Sequence, residues 1–425
     1  MQRLYSFLFY LSLPLLIIRL GIRGLKNADY WKRWPERFGF GPTLPARDAV
    51  IWIHAVSVGE VEASRPLIDM LLARYPTHHL LITTMTPTGS DRVKKLFKKS
   101  VSHCYLPYDL PFAVKHFLRR THPDFGIIME TEVWPNFTLQ CQKQSIPLAL
   151  INARLSERSA QRYAYLPQFS KQLFNSFRFI AAQSQYDKDN LQQLGVDNTS
   201  IHVVGNLKYE LHFAASLVEQ ASALRMMWDN NRPVWVAAST HEGEEDIVLQ
   251  AARQVKAQCQ GALLVIVPRH PERFDKVTAL AHKSGFKTLR RSDSSPCTAD
   301  TDILIVDSMG ELPLFYAASD IAFVGGSLVP QGGHNILEPA ALGRAIITGP
   351  HTFNFKTITQ QLTEQEAVIQ ITDSAQLAQS VTDLLHNAEK RAKMGEAGKQ
   401  HIAHSQGASM RLANLIRRHI ALYEK

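Results

Sequence analysis

From residue 48 onward, short β-branched runs alternate with amphipathic stretches. That alternation restricts the chain to a parallel sheet covered by helices on both faces. Strands are expected at residues 50–54, 79–83, 125–129, 148–151 and 178–182. Helical stretches lie between them, as at 61–74, where Leu67, Met70 and Leu71 recur at helical spacing. The rhythm breaks over residues 213–232 and restarts with strands expected at 233–238, 262–267, 302–306, 321–324 and 345–348. A chain of 425 residues is too long for one ordinary core, so the restart reads as a domain boundary. The expectation is an α/β protein of two doubly wound, Rossmann-like domains facing a central cleft, with ligands beyond the carboxyl ends of the strands. The divisions are 1–40 (an N-terminal segment with a basic flank), 41–212, a linker at 213–232, 233–404, and a last helical stretch at 405–425 that packs back on the first half.

Residues 4–18 are apolar, with Phe7, Leu8, Phe9, Leu11, Leu15 and Leu16 and no charge before Arg19. The run is shorter than the roughly 20 residues that span a bilayer comfortably, and Pro14 sits inside it. No small-residue cleavage site follows, so the reading is a membrane anchor, either an uncleaved signal-anchor or a monotopic hairpin. A buried first-domain helix is the alternative. Arg19, Arg23, Lys26, Lys32, Arg33 and Arg37 follow, opposed only by Asp29 and Glu36. The positive-inside rule then keeps the bulk of the chain on the cytoplasmic side. A net charge of +9 suits an anionic lipid surface, a phosphorylated substrate or a nucleic acid. With no zinc finger, RNP-like motif or continuous basic helix, nucleic acid is not expected. Four cysteines without a C-x-x-C indicate neither a disulfide framework nor structural zinc. Nothing in the sequence sets an oligomeric state.

The first expected strand runs into His54-Ala55-Val56-Ser57-Val58-Gly59-Glu60. Glu60 is either a general base aimed at an acceptor hydroxyl or a first-turn carboxylate serving the helix dipole, which would lower its pKa. Strand 125–129 leads into Glu130-Thr131-Glu132-Val133-Trp134-Pro135-Asn136. Two carboxylates leaving an apolar strand are costly to desolvate unless they meet a cation or sugar hydroxyls; Glu132 is also a candidate cap for the following helix. Gly205-Asn206-Leu207-Lys208 puts a lysine at a strand exit, where it can neutralise a phosphate or carboxylate. In the second half Pro268-Arg269-His270 sets an arginine on a strand-end loop, a suitable phosphate ligand. The richest segment is Gly325-Gly326-Ser327 followed by Gly332-Gly333-His334-Asn335-Ile336-Leu337-Glu338-Pro339. Its second glycine pair is expected to open a helix whose free N–H groups cradle a phosphate, with Glu338 accepting from ribose hydroxyls. There is no P-loop and no G-x-G-x-x-G, which disfavours an ATPase or a nicotinamide enzyme. The D-x-D matches at Asp187/Asp189 and Asp300/Asp302 sit where no nucleotide-bound metal would need them, so neither metal nor cofactor is expected.

Taken in order, Val58-Gly59-Glu60, Glu130 to Asn136, Gly205 to Lys208, Pro268-Arg269-His270 and Gly332 to Pro339 resemble the 3-deoxy-D-manno-octulosonic acid (Kdo) transferases along nearly the whole chain. The resemblance implies a GT-B type fold and an inverting transfer of Kdo from CMP-Kdo to the lipid A precursor, without metal. It implies that Glu60 is the base and that Glu130 and Lys208 support the transition state. It further implies that Pro268, Arg269, Met309, Gly310, Glu311, Asn335, Ile336, Leu337 and Glu338 bind CMP; the residues alone show only a turn at Met309 to Glu311. Another GT-B sugar-nucleotide enzyme, such as a UDP-sugar transferase or an epimerase, and a non-catalytic sugar-nucleotide-binding membrane protein are the alternatives.

Overall fold

In the computed structural model, residues 1–44, 49–293 and 295–420 are described. The chain divides into two compact units: residues 1–210 together with the segment from Gln406, and Leu211–Ser405.

The first unit holds strands β1 (Val50–His54), β2 (His79–Thr84), β3 (Ser102–Tyr105), β4 (Phe125–Met129), β5 (Leu148–Ala153), β6 (Phe179–Ala182) and β7 (Ile201–Val203). All neighbours pair in parallel, in the order β3-β2-β1-β4-β5-β6-β7. The second holds β8 (Val234–Thr240), β9 (Leu263–Pro268), β10 (Thr288–Arg290), β11 (Ile303–Ile305), β12 (Ile321–Val324), β13 (Ala345–Thr348) and β14 (Val368–Gln370), ordered β10-β11-β9-β8-β12-β13-β14. Helices cover both faces of each sheet, so every residue of β1, β4, β8 and β9 is buried, which is why these strands read as continuous apolar runs. The edge strands β3, β10 and β14 are three or four residues long and largely half-exposed. They carry no such run, and none is among the expected strands.

In each sheet the chain moves outward from its first strand and later returns to that strand's other side, so β1|β4 and β8|β12 are topological switch points. Adjacent crossovers leave in opposite directions there, opening a crevice at the carboxyl ends. In the first unit the switch is braced by Trp52 of β1, which is fully buried between Phe117 and Phe137 at ring distances of 5.3 and 5.6 Å. Its Nε1 donates to Thr83 Oγ1 at 2.9 Å.

The segment 213–232 is not a bare connection. It forms the helix Leu217–Trp228 within the second unit, where Trp228 stacks on Phe315 at 6.3 Å and Arg225 pairs with Asp320 at 3.4 Å. The helix Ala408–Ile420 returns to the first unit: Leu412 and Ile416 are buried in its core and Arg411 Nε donates to the Val204 carbonyl at 2.9 Å. The N-terminal apolar run extends into a 25-residue helix, Gln2–Lys26, which is long and apolar enough to cross a membrane by length and composition.

Truncating Trp52 removes a large side chain and a buried donor together. Trp52→Ala is expected to destabilise the first unit by about 3–5 kcal/mol, read as faster amide exchange in β1 and β4 at unchanged rates in β8 and β12. A change below about 1 kcal/mol would mean that the switch point does not depend on this packing.

Candidate active site

At the carboxyl end of β1 the helix Val58–Arg74 begins three residues before the expected start, which places Glu60 in its first turn. Its Oε2 accepts the Val56 N–H at 2.7 Å, so the side chain does serve an orphan amide at a helix start. It is also 9% exposed. The expected lowering of its pKa is overturned: burial dominates and lifts the carboxyl to about 8, with Glu130 and Glu132 adding repulsion while the Val56 N–H and the Lys208 cation pull it back. A carboxyl in that range is a far stronger base than an ordinary glutamate once ionised.

Glu130 stands at the end of β4 with φ of 55°. A non-glycine residue in that left-handed region costs about 1–3 kcal/mol and persists only where its surroundings hold it. Here the Glu130 N–H donates to the Ile151 carbonyl at 2.9 Å, and Glu130 Oε1 lies 3.7 Å from Lys208 Nζ. Lys208 sits in the 3₁₀ turn Leu207–Tyr209, whose shape is set by two asparagines. Asn206 Oδ1 accepts the Lys208 N–H at 2.9 Å, and the fully buried Asn152 Oδ1 accepts the Leu207 N–H at 3.0 Å. Asn152, at the end of β5, is itself left-handed with φ of 50°. It was not singled out from the sequence; an asparagine closing an apolar strand, one of the few residues that tolerate that region, is the signal that marks it. Glu132 does not cap the next helix. Asp109, 2% exposed on a distant loop, accepts the Asn136 and Phe137 N–H groups at 2.9 and 2.8 Å instead. Burial raises the pKa of Glu132 too. The first unit thus gathers Glu60, Glu130, Glu132 and Lys208, with the lysine set against Glu130 and Glu60.

In the second unit the carboxyl ends of β8 and β12 are joined by Glu244, in the first turn of the helix Glu244–Gln258 and fully buried. Its two oxygens accept the N–H groups of Gly326 at 2.7 Å, Leu328 at 2.9 Å, Ser327 at 3.1 Å and His241 at 3.3 Å. A Cβ on Gly325 would stand 2.5 Å from that carboxylate, so the loop needs glycine there. Gly325-Gly326 therefore wraps one of the protein's own carboxylates. The second glycine pair also differs from expectation. The helix starts four residues later, at Leu337, and the Gly333 N–H donates to the Gly326 carbonyl at 2.8 Å. Gly332 and Gly333, at φ of 97° and 74°, form a left-handed bend: a Cβ on Gly332 would strike the Phe353 ring at 2.4 Å.

That bend delivers His334 beside His241, the rings parallel within 3° and their Nε2 atoms 2.8 Å apart, with His270 edge-on to His241 at 5.3 Å. Burial, then the Arg269 cation and the neighbouring imidazoles, lower His334 to about 4, so the pair is neutral at pH 7 and one ring donates to the other. Pro268 ends β9, and Arg269 follows with an exposed side chain that takes no carboxylate among the described residues. Arg273 behaves differently: it is committed to the buried Glu245 through two bonds of 3.2 and 2.9 Å. Gly310 turns with φ of 93° between an exposed Met309 and Glu311, which accepts from Ser308 Oγ and from Arg291 Nη2 at 3.3 Å. Asn335 Nδ2 donates to Glu338 Oε1 at 3.1 Å, while Asn335 Oδ1 caps the Leu337 N–H at 3.1 Å; Ile336 and Leu337 are buried beneath them. Among the described residues no group of three or more His, Cys, Asp or Glu side chains is arranged to hold a metal ion.

A family model described as 3-Deoxy-D-manno-octulosonic-acid transferase (kdotransferase) matches residues 32–211. A second, Glycosyl transferases group 1, matches residues 234–401. The 3-deoxy-D-manno-octulosonic acid transferase of Haemophilus influenzae is 42% identical over 415 residues, covering 97% of each chain. The chain belongs to the Kdo transferase family. The Bordetella pertussis member is 34% identical over 412 residues, covering 94% of each chain. Among solved structures, a UDP-GlcNAc 2-epimerase from Neisseria meningitidis aligns with a TM-score of 0.59 over 87% of this chain and all of that one. At 16% identity that likeness carries the two-sheet fold alone. Within the Kdo transferase fold, the loop held by Glu244 is the part most open to direct test. Glu244→Gln leaves two of its four amides facing an NH₂ group instead of an acceptor, at about 1–3 kcal/mol for each orphaned amide. Faster exchange of the Gly326 to Leu328 amides and a lower melting temperature of the second unit are expected; unchanged exchange would show that the carboxylate does not hold the loop.

Proposed function

We propose that this Kdo transferase moves Kdo from CMP-Kdo to a lipid A precursor by a single inverting displacement, with Glu60 as the base. The observation that carries the reading is the buried Glu60 carboxyl, raised to about 8 beside the Glu130–Lys208 pair. The acceptor hydroxyl attacks the anomeric carbon and its proton passes to a Glu60 oxygen. The bond from that carbon to the phosphate oxygen breaks, and CMP leaves with the bonding pair. Without a second covalent step the configuration inverts.

The donor's own carboxylate sits beside the reacting carbon, so cations are needed to spread the charge that develops on CMP. Arg269 is suited to the phosphate because its guanidinium is exposed and meets no carboxylate among the described residues, and Lys208 to the sugar acid. Pro268, Met309 to Glu311 and Asn335 to Glu338 would hold the nucleotide, with Glu338 accepting from the ribose hydroxyls. Since the Gly333 amide is taken by Gly326, the phosphate would depend more on Arg269 than on the glycine pair. The acceptor is a phosphorylated glycolipid, which suits a chain with an apolar N-terminal helix and a basic flank, held at the cytoplasmic face of the inner membrane.

Glu60→Gln should lower kcat by about 10²–10⁴-fold while CMP binding, followed by titration calorimetry, changes little. The readout is mass spectrometry of a tetraacylated lipid A precursor incubated with freshly generated CMP-Kdo; a variant that still transfers at the parent rate would remove Glu60 from the chemistry. The pH profile supplies an independent check. A base titrating near 8 makes kcat/KM climb about tenfold per pH unit below that value and level off above it. Glu130→Gln removes a repelling charge and should move the limb to lower pH, whereas Lys208→Met removes the stabilising cation and should move it higher. Shifts in the same direction for both would contradict this electrostatic arrangement.

A further inference from the structure

The helix Gln2–Lys26 is, at about 1.5 Å per residue, roughly 37 Å long, enough to cross a bilayer core of about 30 Å. The way the first unit holds it points elsewhere. Tyr5, Phe9, Ser12, Leu16, Leu20 and Gly24 are half-buried or buried, and their spacing of three and four residues traces one stripe down the whole helix. At its start, Gln2 Nε2 and Ser6 Oγ donate to Asn136 Oδ1 at 3.2 and 2.9 Å, and Tyr5 bonds the Asp109 carboxylate. In its second quarter Tyr10 stacks on Phe112 at 6.5 Å. Near its end Trp31 Nε1 donates to the Gly21 carbonyl at 3.2 Å, and a Cβ on Gly24 would collide with the Trp31 ring. The opposite stripe is apolar and open: Leu4, Leu11, Leu15, Ile18, Ile22 and Leu25 are between 52% and 76% exposed.

A helix that crosses a bilayer is surrounded at mid-length by hydrocarbon. Here the folded unit lies against its start and part-way along, the turn after the helix folds back on its end, and sinking that polar surface into lipid would strip water from groups with no replacement partners. We propose that the helix lies in the membrane plane, its open stripe sunk into one leaflet, so that the N-terminus stays on the same side as the first unit's sheet. The surface around the helix fits that placement. Phe112, which packs on Tyr10, is itself 39% exposed, and Lys115 and Arg119 follow it on one helical face. With Arg3, Arg19 and Arg23, all exposed, they present cations beside the apolar stripe. An anionic lipid headgroup layer over acyl chains complements that pairing, whereas a second copy of this chain would set these cations against themselves. The inference does not rest on the transfer chemistry, because it is read from depth and not from activity.

The test uses the full chain in vesicles of phosphatidylethanolamine and phosphatidylglycerol, in a Cys297→Ser background; the other three cysteines are buried. Nitroxides are placed one at a time through Leu4→Cys, Leu11→Cys, Ile18→Cys and Leu25→Cys, and depth is measured by oxygen against nickel-chelate accessibility. All four labels should report one shallow depth, agreeing within about 5 Å. A profile deepest at 11 and 18, with 4 and 25 at opposite headgroup layers, would overturn the proposal in favour of a spanning helix. Labels left in water, or broadened by a second label nearby, would overturn it in favour of a face that is bare or covered by another copy. Independently, Arg3→Cys should react with an impermeant maleimide from the side that bears the first unit; protection from that side until the vesicles are lysed would contradict the in-plane geometry.

Discussion

The proposed chemistry depends on one buried carboxylate that meets, among the described residues, a single N–H. Glu60 is drawn into the first turn after β1, where the Val56 N–H reaches it at 2.7 Å, and is otherwise shut from water. One hydrogen bond is too little to offset the desolvation of a charge, so the proton is retained to about pH 8. Lys208 limits that rise and Glu130 adds to it, so a pair 3.7 Å apart tunes this carboxyl from both directions. The two left-handed residues, Glu130 and Asn152, are what bring the ends of β4 and β5 and the Lys208 turn to that point.

The second unit repeats the arrangement and reverses its outcome. Glu244 also follows the first strand of its sheet and also lies buried in a first helical turn, and burial raises its pKa as well. It accepts four N–H groups, however, and all of them belong to the loop after β12 and the turn before its own helix. A carboxylate so fully satisfied has no lone pair to offer a substrate and acts as a brace. Two glutamates in equivalent topological positions thus divide into a proposed base and a strut by the number of amides each one meets.

Much of this was legible in the chain. The fully buried central strands announced themselves as apolar runs, and β1, β4, β12 and β13 fall at the residues expected of them. The edges β3, β10 and β14 did not, because a short half-exposed strand has no periodicity to read. Glu60, Glu130, Lys208 and Arg269 stood out as charges leaving apolar strands, and the structure sets the first three together. Glu244, Asn152 and Asp109 did not stand out, since their roles come from amides that are distant in sequence: 82 residues separate Glu244 from Gly326. The pKa of Glu60 was expected to fall because the helix dipole is visible in a sequence and burial is not. Gly332-Gly333 looked like a helix opening because a glycine pair before a helical stretch reads the same whether its amides are free or already paired.

The sharpest test of the account is a direct titration of the Glu60 carboxyl by infrared difference spectroscopy on ¹³C-glutamate-labelled protein without substrate, with Glu60→Gln as the subtraction. A protonated carboxyl band that disappears around pH 8 and is missing from the variant is expected. A band lost near the usual glutamate value of about 4.3 would show that Glu60 is an ordinary first-turn carboxylate, and the proposed base would have to be sought elsewhere.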